Sequence, residues 1–191
     1  PGGLGSEYPT LDLINKAPLF PHPDRVLPLT ALWHAVKPYS SKESVMAQID
    51  LVVGTVYGSA MLVAETLAEH LQQVGHVCQI FDEAVLEDID ASRFLLLIAA
   101  TTGQGDIPPN LQPLAAALTD RAPYMKGWRY ALIAMGDSSY EHFCGAGRQL
   151  DGLLQELGAS ALLPRLEIDA AVDDEPEKVA LAWLTGWENK L

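Results

Sequence analysis

The sequence is short of cysteine, short of positive charge and without a long apolar run. Two cysteines, Cys78 and Cys144, are too few for a disulfide framework, so a reducing, cytoplasmic setting is the expectation. Twelve Lys and Arg stand against 25 Asp and Glu, a formal net charge of −13. That balance disfavours nucleic acid as a partner, since its binding rests on basic side chains that neutralise phosphates. Anionic membranes are disfavoured on the same ground, and no apolar stretch approaches the ~20 residues that span a bilayer. An acidic surface attracts instead a protein partner with a basic docking face.

What is present divides into two regions. Residues 1–45 hold seven of the thirteen prolines and equal numbers of acidic and basic residues, so residues 46–191 carry the whole excess of negative charge. Proline and glycine at this density, without a hydrophobic period, predict an extended and poorly ordered segment. Its apolar piece "VLPLTALWHAV" (Val26–Val36) is interrupted by Pro28 and makes a poor signal peptide. The stretch "MAQIDLVVG" from Met46 has the look of a natural start, which makes 1–45 an upstream extension or leader and 46–191 the folded domain.

From Gln48 the chain alternates strands with helices. "IDLVVG" (Ile49–Gly54) is a β-branched strand, followed over Ser59–Val74 by Val63, Leu67, Leu71 and Val74 at helical spacing. Gly75 stands at a helix C-cap. "HVCQIF" (His76–Phe81), "FLLLIAAT" (Phe94–Thr101) and "YALIAMG" (Tyr130–Gly136) are further strands, the last two apolar on both faces. A helix is expected over Phe143–Leu157, a weaker fifth strand over Leu163–Ala170, and a last helix from Pro176 with Val179, Trp183 and Trp187 on its buried stripe. Strands apolar on both faces belong in a parallel sheet covered on each side. The prediction is an α/β domain with a doubly wound, five-stranded parallel sheet in the order 2-1-3-4-5. Such sheets place ligands at the carboxyl ends of their strands, where the order reverses.

The loops after strands one, three and four meet that demand. "GTVYGSA" (Gly54–Ala60) opens directly into a helix, whose first N–H groups can hold a phosphate without Lys or Arg. Thr55, Tyr57 and Ser59 add hydroxyls, and Gly58 admits a close approach; the plainer alternative is a turn capped by Ser59. The loop is not a G-x-x-x-x-G-K-[ST] motif, which argues against nucleoside triphosphate hydrolysis. In "TTGQGDIPP" (Thr101–Pro109), Gly103 and Gly105 permit positive φ, and Asp106 is expected to cap a helix begun by Pro108 or Pro109. "GDSSYEHFCGAG" (Gly136–Gly147) offers a polar turn of Asp137, Ser138 and Ser139, then Tyr140 as an aromatic face. Glu141 and His142 are expected at the surface. Cys144, with no basic neighbour in sequence, has no reason for a lowered pKa. A ligand with a phosphate at one end and a planar ring at the other satisfies all three loops.

On these three motifs the chain from about Gln48 onward resembles the flavodoxin-like FMN proteins. It is most similar to the short-chain, MioC-type bacterial flavodoxins, and also resembles the FMN domains of sulfite reductase and cytochrome P450 reductase. The resemblance implies that FMN is the cofactor, its phosphate held by Thr55, Val56, Tyr57, Gly58, Ser59 and Ala60. It assigns the flavin ring to Thr101, Thr102, Gly103, Gln104, Gly105 and Asp106, with Gly136, Asp137, Ser138, Ser139, Tyr140, Phe143 and Cys144. Tyr140 matches the stacking position, Gly103 the glycine whose carbonyl meets flavin N5–H in the half-reduced state, and Asp169 a more distant flavin-side acid. Thr102, Ala60 and Tyr57 depart from the family pattern: relatives place an aromatic, a hydroxyl residue and a smaller Thr there. The implied function is one-electron carriage between a reductase and an acceptor protein, both with basic docking surfaces, and not catalysis on a substrate. The rival is an FMN-dependent NAD(P)H quinone or nitro reductase. A receiver domain shares the fold but needs carboxylates where "GTVYG" and "AATTG" stand.

Overall fold

The computed structural model describes residues 46–191; the proline-rich segment 1–45, and the expectation made of it, lie outside the described residues. The described residues form six strands and four α-helices in chain order. They are β1 (Gln48–Gly54), α1 (Ser59–Gln73), β2 (Val77–Phe81), β3 (Phe94–Ala100), α2 (Gln112–Arg121), β4 (Arg129–Gly136), α3 (Gly145–Glu156), β5 (Ser160–Ala161), β6 (Leu166–Asp169) and α4 (Pro176–Thr185). All strand pairs are parallel, in the order β2-β1-β3-β4-β5, and β6 also pairs with β4. The fifth position of the predicted sheet is therefore one broken strand. β5 pairs with the start of β4 and β6 with its end, and Pro164, which has no N–H to give a ladder, lies in the break.

The alternation of strand side chains divides the core into two layers. Leu51 and Val53, Leu96 and Ile98, and Ala131 and Ile133 face α1 and α4 through Val63, Leu67, Leu71, Ala180 and Leu184. Val52, Leu95, Leu97, Leu132 and Ala134 face α2 and α3 through Leu114, Leu118, Leu150 and Leu154. Each fully buried leucine contributes ~1.5–3 kcal/mol. α3 comes so close to β4 that a β-carbon at Gly147 would collide with that of Ala134. Of the predicted stripes, Val63, Leu67 and Leu71 are buried, whereas Val74, one residue past α1, is exposed. Trp187 is buried against Phe94 and Trp183.

Three helix starts differ from their sequence expectation. Gly58, not Ser59, is the N-cap of α1, at φ 86°. α2 begins at Gln112 with Leu111 as N-cap and no side-chain cap, so Asp106 caps no helix; its carboxylate accepts from Gln104 N at 3.2 Å within its own loop. The prolines at 108 and 109 instead build a turn, with Leu111 N donating to Pro108 O, before the helix starts. α3 starts two residues later than expected, because Cys144 takes up a left-handed conformation at φ 55° and cannot be a helical residue.

Candidate functional site

Parallel strands that end at one rim deliver their loops to one place. A cleft of about 650 Å³ opens there, walled by segments after β1, β3, β4 and β6. Val56, Tyr57 and Ser59 line it from the first loop, and Thr101, Thr102, Gly103, Gln104 and Gly105 from the second. The third contributes Gly136, Asp137, Tyr140, Phe143 and Cys144. Thr55, Gly58, Ala60, Asp106, Ser138 and Ser139 do not line it, although they belong to the same segments.

The first loop is closed by its own hydroxyl. Gly58 N donates to Thr55 Oγ1 at 2.9 Å, and Thr55 N donates to Asn110 Oδ1 at 3.1 Å. With Gly58 in the left-handed region that side chains disfavour, α1 opens without a side-chain cap and without an acidic residue in its first turn. Among the described residues Ser59, Ala60 and Met61 thus have no acceptor for their N–H groups, which lie at the positive end of the helix dipole. Among the described residues the N–H groups of Val56 and Tyr57 also have no acceptor.

The second and third loops lock against one another. Thr102 bridges to Asp106 across a tight turn, with Gly103 at φ 52° and Gly105 at φ 99°. A β-carbon on Gly105 would stand 2.7 Å from His142 Cβ, and one on Gly145 would stand 2.8 Å from Gly105 Cα. Backbone meets backbone there, and Gln149 Nε2 seals the contact by donating to Gly105 O at 2.7 Å. The turn after β4 is held by carboxylates. Asp137 Oδ1 accepts from Ser139 N at 2.8 Å and from Ser139 Oγ at 2.5 Å. Asp169 Oδ1 accepts from Ser138 N at 2.9 Å and from Ala171 N at 3.0 Å. The hydrogen bonds from Ser138, then from the Ala171 backbone, hold Asp169 below the usual carboxylate range. In the structure Asp169 braces the loop and does not line the cleft.

Two exposed tyrosines stand on the cleft wall. Tyr57 is 95% exposed and Tyr140 60% exposed, both on the cleft wall. Its floor is apolar, formed by Ala100, Met135, Cys144 and Ile168. Burial, then the nearby Glu167 carboxylate, pushes the Cys144 thiol up to about 12, so it is a packing group and not a nucleophile. Sequence reading missed Ala100, Met135, Ile168, Ala170, Asp173 and Pro176 as lining; His142, expected at the surface, is exposed and also lines the wall. Met135 and Ile168 sit at strand ends, so extending the strand register to the rim would have found them. Asn110 carried no such signal: one asparagine after two prolines looks like ordinary turn chemistry.

These features suit a phosphorylated planar ring. Open N–H groups at an uncapped helix start are a place for a phosphate, and an apolar-floored slot with exposed tyrosines is a place for a ring. A doubly wound sheet with this rim is the architecture of a flavin-mononucleotide electron carrier. The chain belongs to the flavodoxin family, whose model, described as Flavodoxin, matches residues 51–183. It is 44% identical over 144 residues to Flavodoxin YqcA of Pectobacterium carotovorum subsp. carotovorum, covering 74% of this chain and 95% of that protein. It is 39% identical over 146 residues to Protein MioC of Escherichia coli (strain K12), covering 76% of this chain and 99% of that protein. A solved cysteine-to-alanine mutant of Flavodoxin from Pseudomonas aeruginosa superposes with a TM-score of 0.68 at 36% identity, over 73% of this chain and 95% of that one. As a member of this family the chain has FMN as its cofactor and electron transfer with redox partner proteins as its role.

Proposed function

We propose that the rim cleft is the FMN site and that the protein works as a one-electron shuttle, not as an enzyme with a substrate of its own. The observation that carries this reading is the convergence of the loops after β1, β3 and β4 on one cleft between Tyr57 and Tyr140. The N–H groups of Val56, Tyr57, Ser59 and Ala60 hold the phosphate. Tyr140 stacks on the ring, and the Thr101–Gly105 and Gly136–Cys144 segments enclose it. FMN, when bound, supplies the electron-carrying chemistry. The chain supplies the electrostatics: Asp137 and Asp173 line the cleft, and no Lys or Arg does. At ~10 Å and an effective dielectric of ~20, each carboxylate opposes an added negative charge by ~1.7 kcal/mol before screening. Any electron that leaves net negative charge on the flavin is therefore made harder to load.

The partners in this reading are a reductase and an acceptor with basic docking surfaces, met in the cytoplasm. Among the described residues, most guanidinium and ammonium groups are already engaged. Arg93, Arg121, Arg148, Arg165 and Lys178 all sit in ion pairs, which leaves the net surface charge negative. The alternative, an NAD(P)H-dependent quinone or nitro reductase, needs a second nucleotide site, for which the cleft offers no Lys or Arg among the described residues. The test is steady-state turnover of the FMN-loaded protein with NADPH and a quinone. The shuttle reading expects no turnover above free FMN until a reductase is added; rapid turnover by the protein alone would favour the enzyme.

A further inference from the structure

We propose that Asn110 is the positioning residue that sets the first loop in its phosphate-ready form before any flavin arrives. The proposal rests on the FMN reading above and names the group that prepares that site. One side-chain amide ties three segments together. Asn110 Nδ2 donates to Val53 O at 2.9 Å near the end of β1 and to Asp82 O at 2.6 Å just after β2. Its Oδ1 accepts from Thr55 N at 3.1 Å, the first residue of the loop. Both donors and the acceptor are used, so the amide has a single satisfied orientation.

The ties propagate along the loop. Thr55, anchored through its N–H, uses its hydroxyl to accept from Gly58 N, and Gly58 carries the chain into α1. Those two bonds consume the N–H groups of Thr55 and Gly58 and leave those of Val56, Tyr57, Ser59 and Ala60 without an acceptor among the described residues. The partition decides which amides face an anion. Packing seats the amide as well. A β-carbon on Gly54 would stand 2.5 Å from Leu111 Cδ1 and 3.3 Å from Pro108 Cγ, so the 108–111 turn lies directly on the end of β1. The turn built by the two prolines that end the second motif delivers Asn110, the next residue, to the first loop. Preorganisation of this kind raises affinity by removing the ordering cost of binding.

The test compares FMN with riboflavin, which has the same ring and no phosphate. Calorimetric titration of the flavin-free protein should show that Asn110→Ala weakens FMN about tenfold or more while riboflavin changes less than about twofold. Equal losses for the two flavins would mean that Asn110 only supports the fold, and the proposal would be overturned. Unaltered protein that binds neither flavin, or favours riboflavin, would instead remove the FMN reading itself. Should Asn110→Ala not fold, amide hydrogen exchange on the unaltered, flavin-free protein decides. Thr55 and Gly58 should be protected and Val56, Tyr57, Ser59 and Ala60 open. Thr55 and Gly58 amides that exchange as fast as those neighbours would sink the proposal.

Discussion

At the β1 end of the cleft the loop is tied by a neutral amide, whereas the turns after β4 and β6 are tied by carboxylates. Asn110 makes three bonds that no change of pH touches. Asp137 and Asp169 make theirs with carboxylate oxygens that accept from backbone N–H groups, and these bonds hold Asp169 below the usual carboxylate range. The same task, holding an exposed loop in one shape, is done by two chemistries. The choice follows the ligand: a carboxylate beside a phosphate would repel it, and beside a flavin ring it makes added electrons costlier. The β1 end should therefore govern recognition of the phosphate, and the β4 end recognition and tuning of the ring.

The largest expected effect lies at the ring end. Tyr140→Ala removes the exposed aromatic wall, and loss of a stacking contact of ~1–3 kcal/mol corresponds to roughly 5- to 150-fold in affinity. FMN and riboflavin should fall together, in contrast to Asn110→Ala, and the flavin potentials should shift. Unchanged affinity and potentials would take Tyr140 out of the site.

A smaller effect is expected at Asp169. Asp169→Ala should weaken both flavins by about three- to tenfold, the value of one or two net hydrogen bonds. The pH dependence fixes the sign. The folded pKa of Asp169 is depressed, so its bracing is fully present above the unfolded value of ~3.9 and is lost as pH falls through the folded value. Riboflavin binding should weaken in the unaltered protein only as pH falls below the ordinary carboxylate range, through the depressed pKa of Asp169, and less so in Asp169→Asn. Riboflavin is the ligand of choice because the FMN phosphate itself titrates near ~6. An identical acid limb in both proteins would dissociate Asp169 from the loop.

The smallest effect concerns the thiols. Burial pushes Cys78 up to about 11 and Cys144 up to about 12, with Cys144 fully enclosed. Iodoacetamide at pH 8 should leave both unmodified in the folded, flavin-free protein and modify both after unfolding. Fast labelling of Cys144 would mean that the loop after β4 opens more readily than its hydrogen bonds imply.

Much of this was legible before the fold was known, because it rests on periods and positions. The apolar strands β3 and β4 announced a covered parallel sheet, and the switch-point rule then selected the loops after β1, β3 and β4. What escaped was local and three-dimensional. The fifth strand is split, β5 pairing with Arg129 and Tyr130 and β6 with Ile133–Gly136, a register that no local period announces. Asp106 had the residue type and spacing of a cap, but the 108–111 turn moved the helix start beyond its reach. Asn110 is legible only once β1, β2 and the second loop are seen to meet.

The central claim, that this cleft holds FMN and passes electrons singly, is tested most directly by a potentiometric titration of the FMN-loaded protein followed by its visible spectrum. The account predicts two resolved one-electron steps, with the second at a lower potential than in free FMN. A single two-electron wave at the potential of free FMN, or pigment lost on dilution, would contradict it.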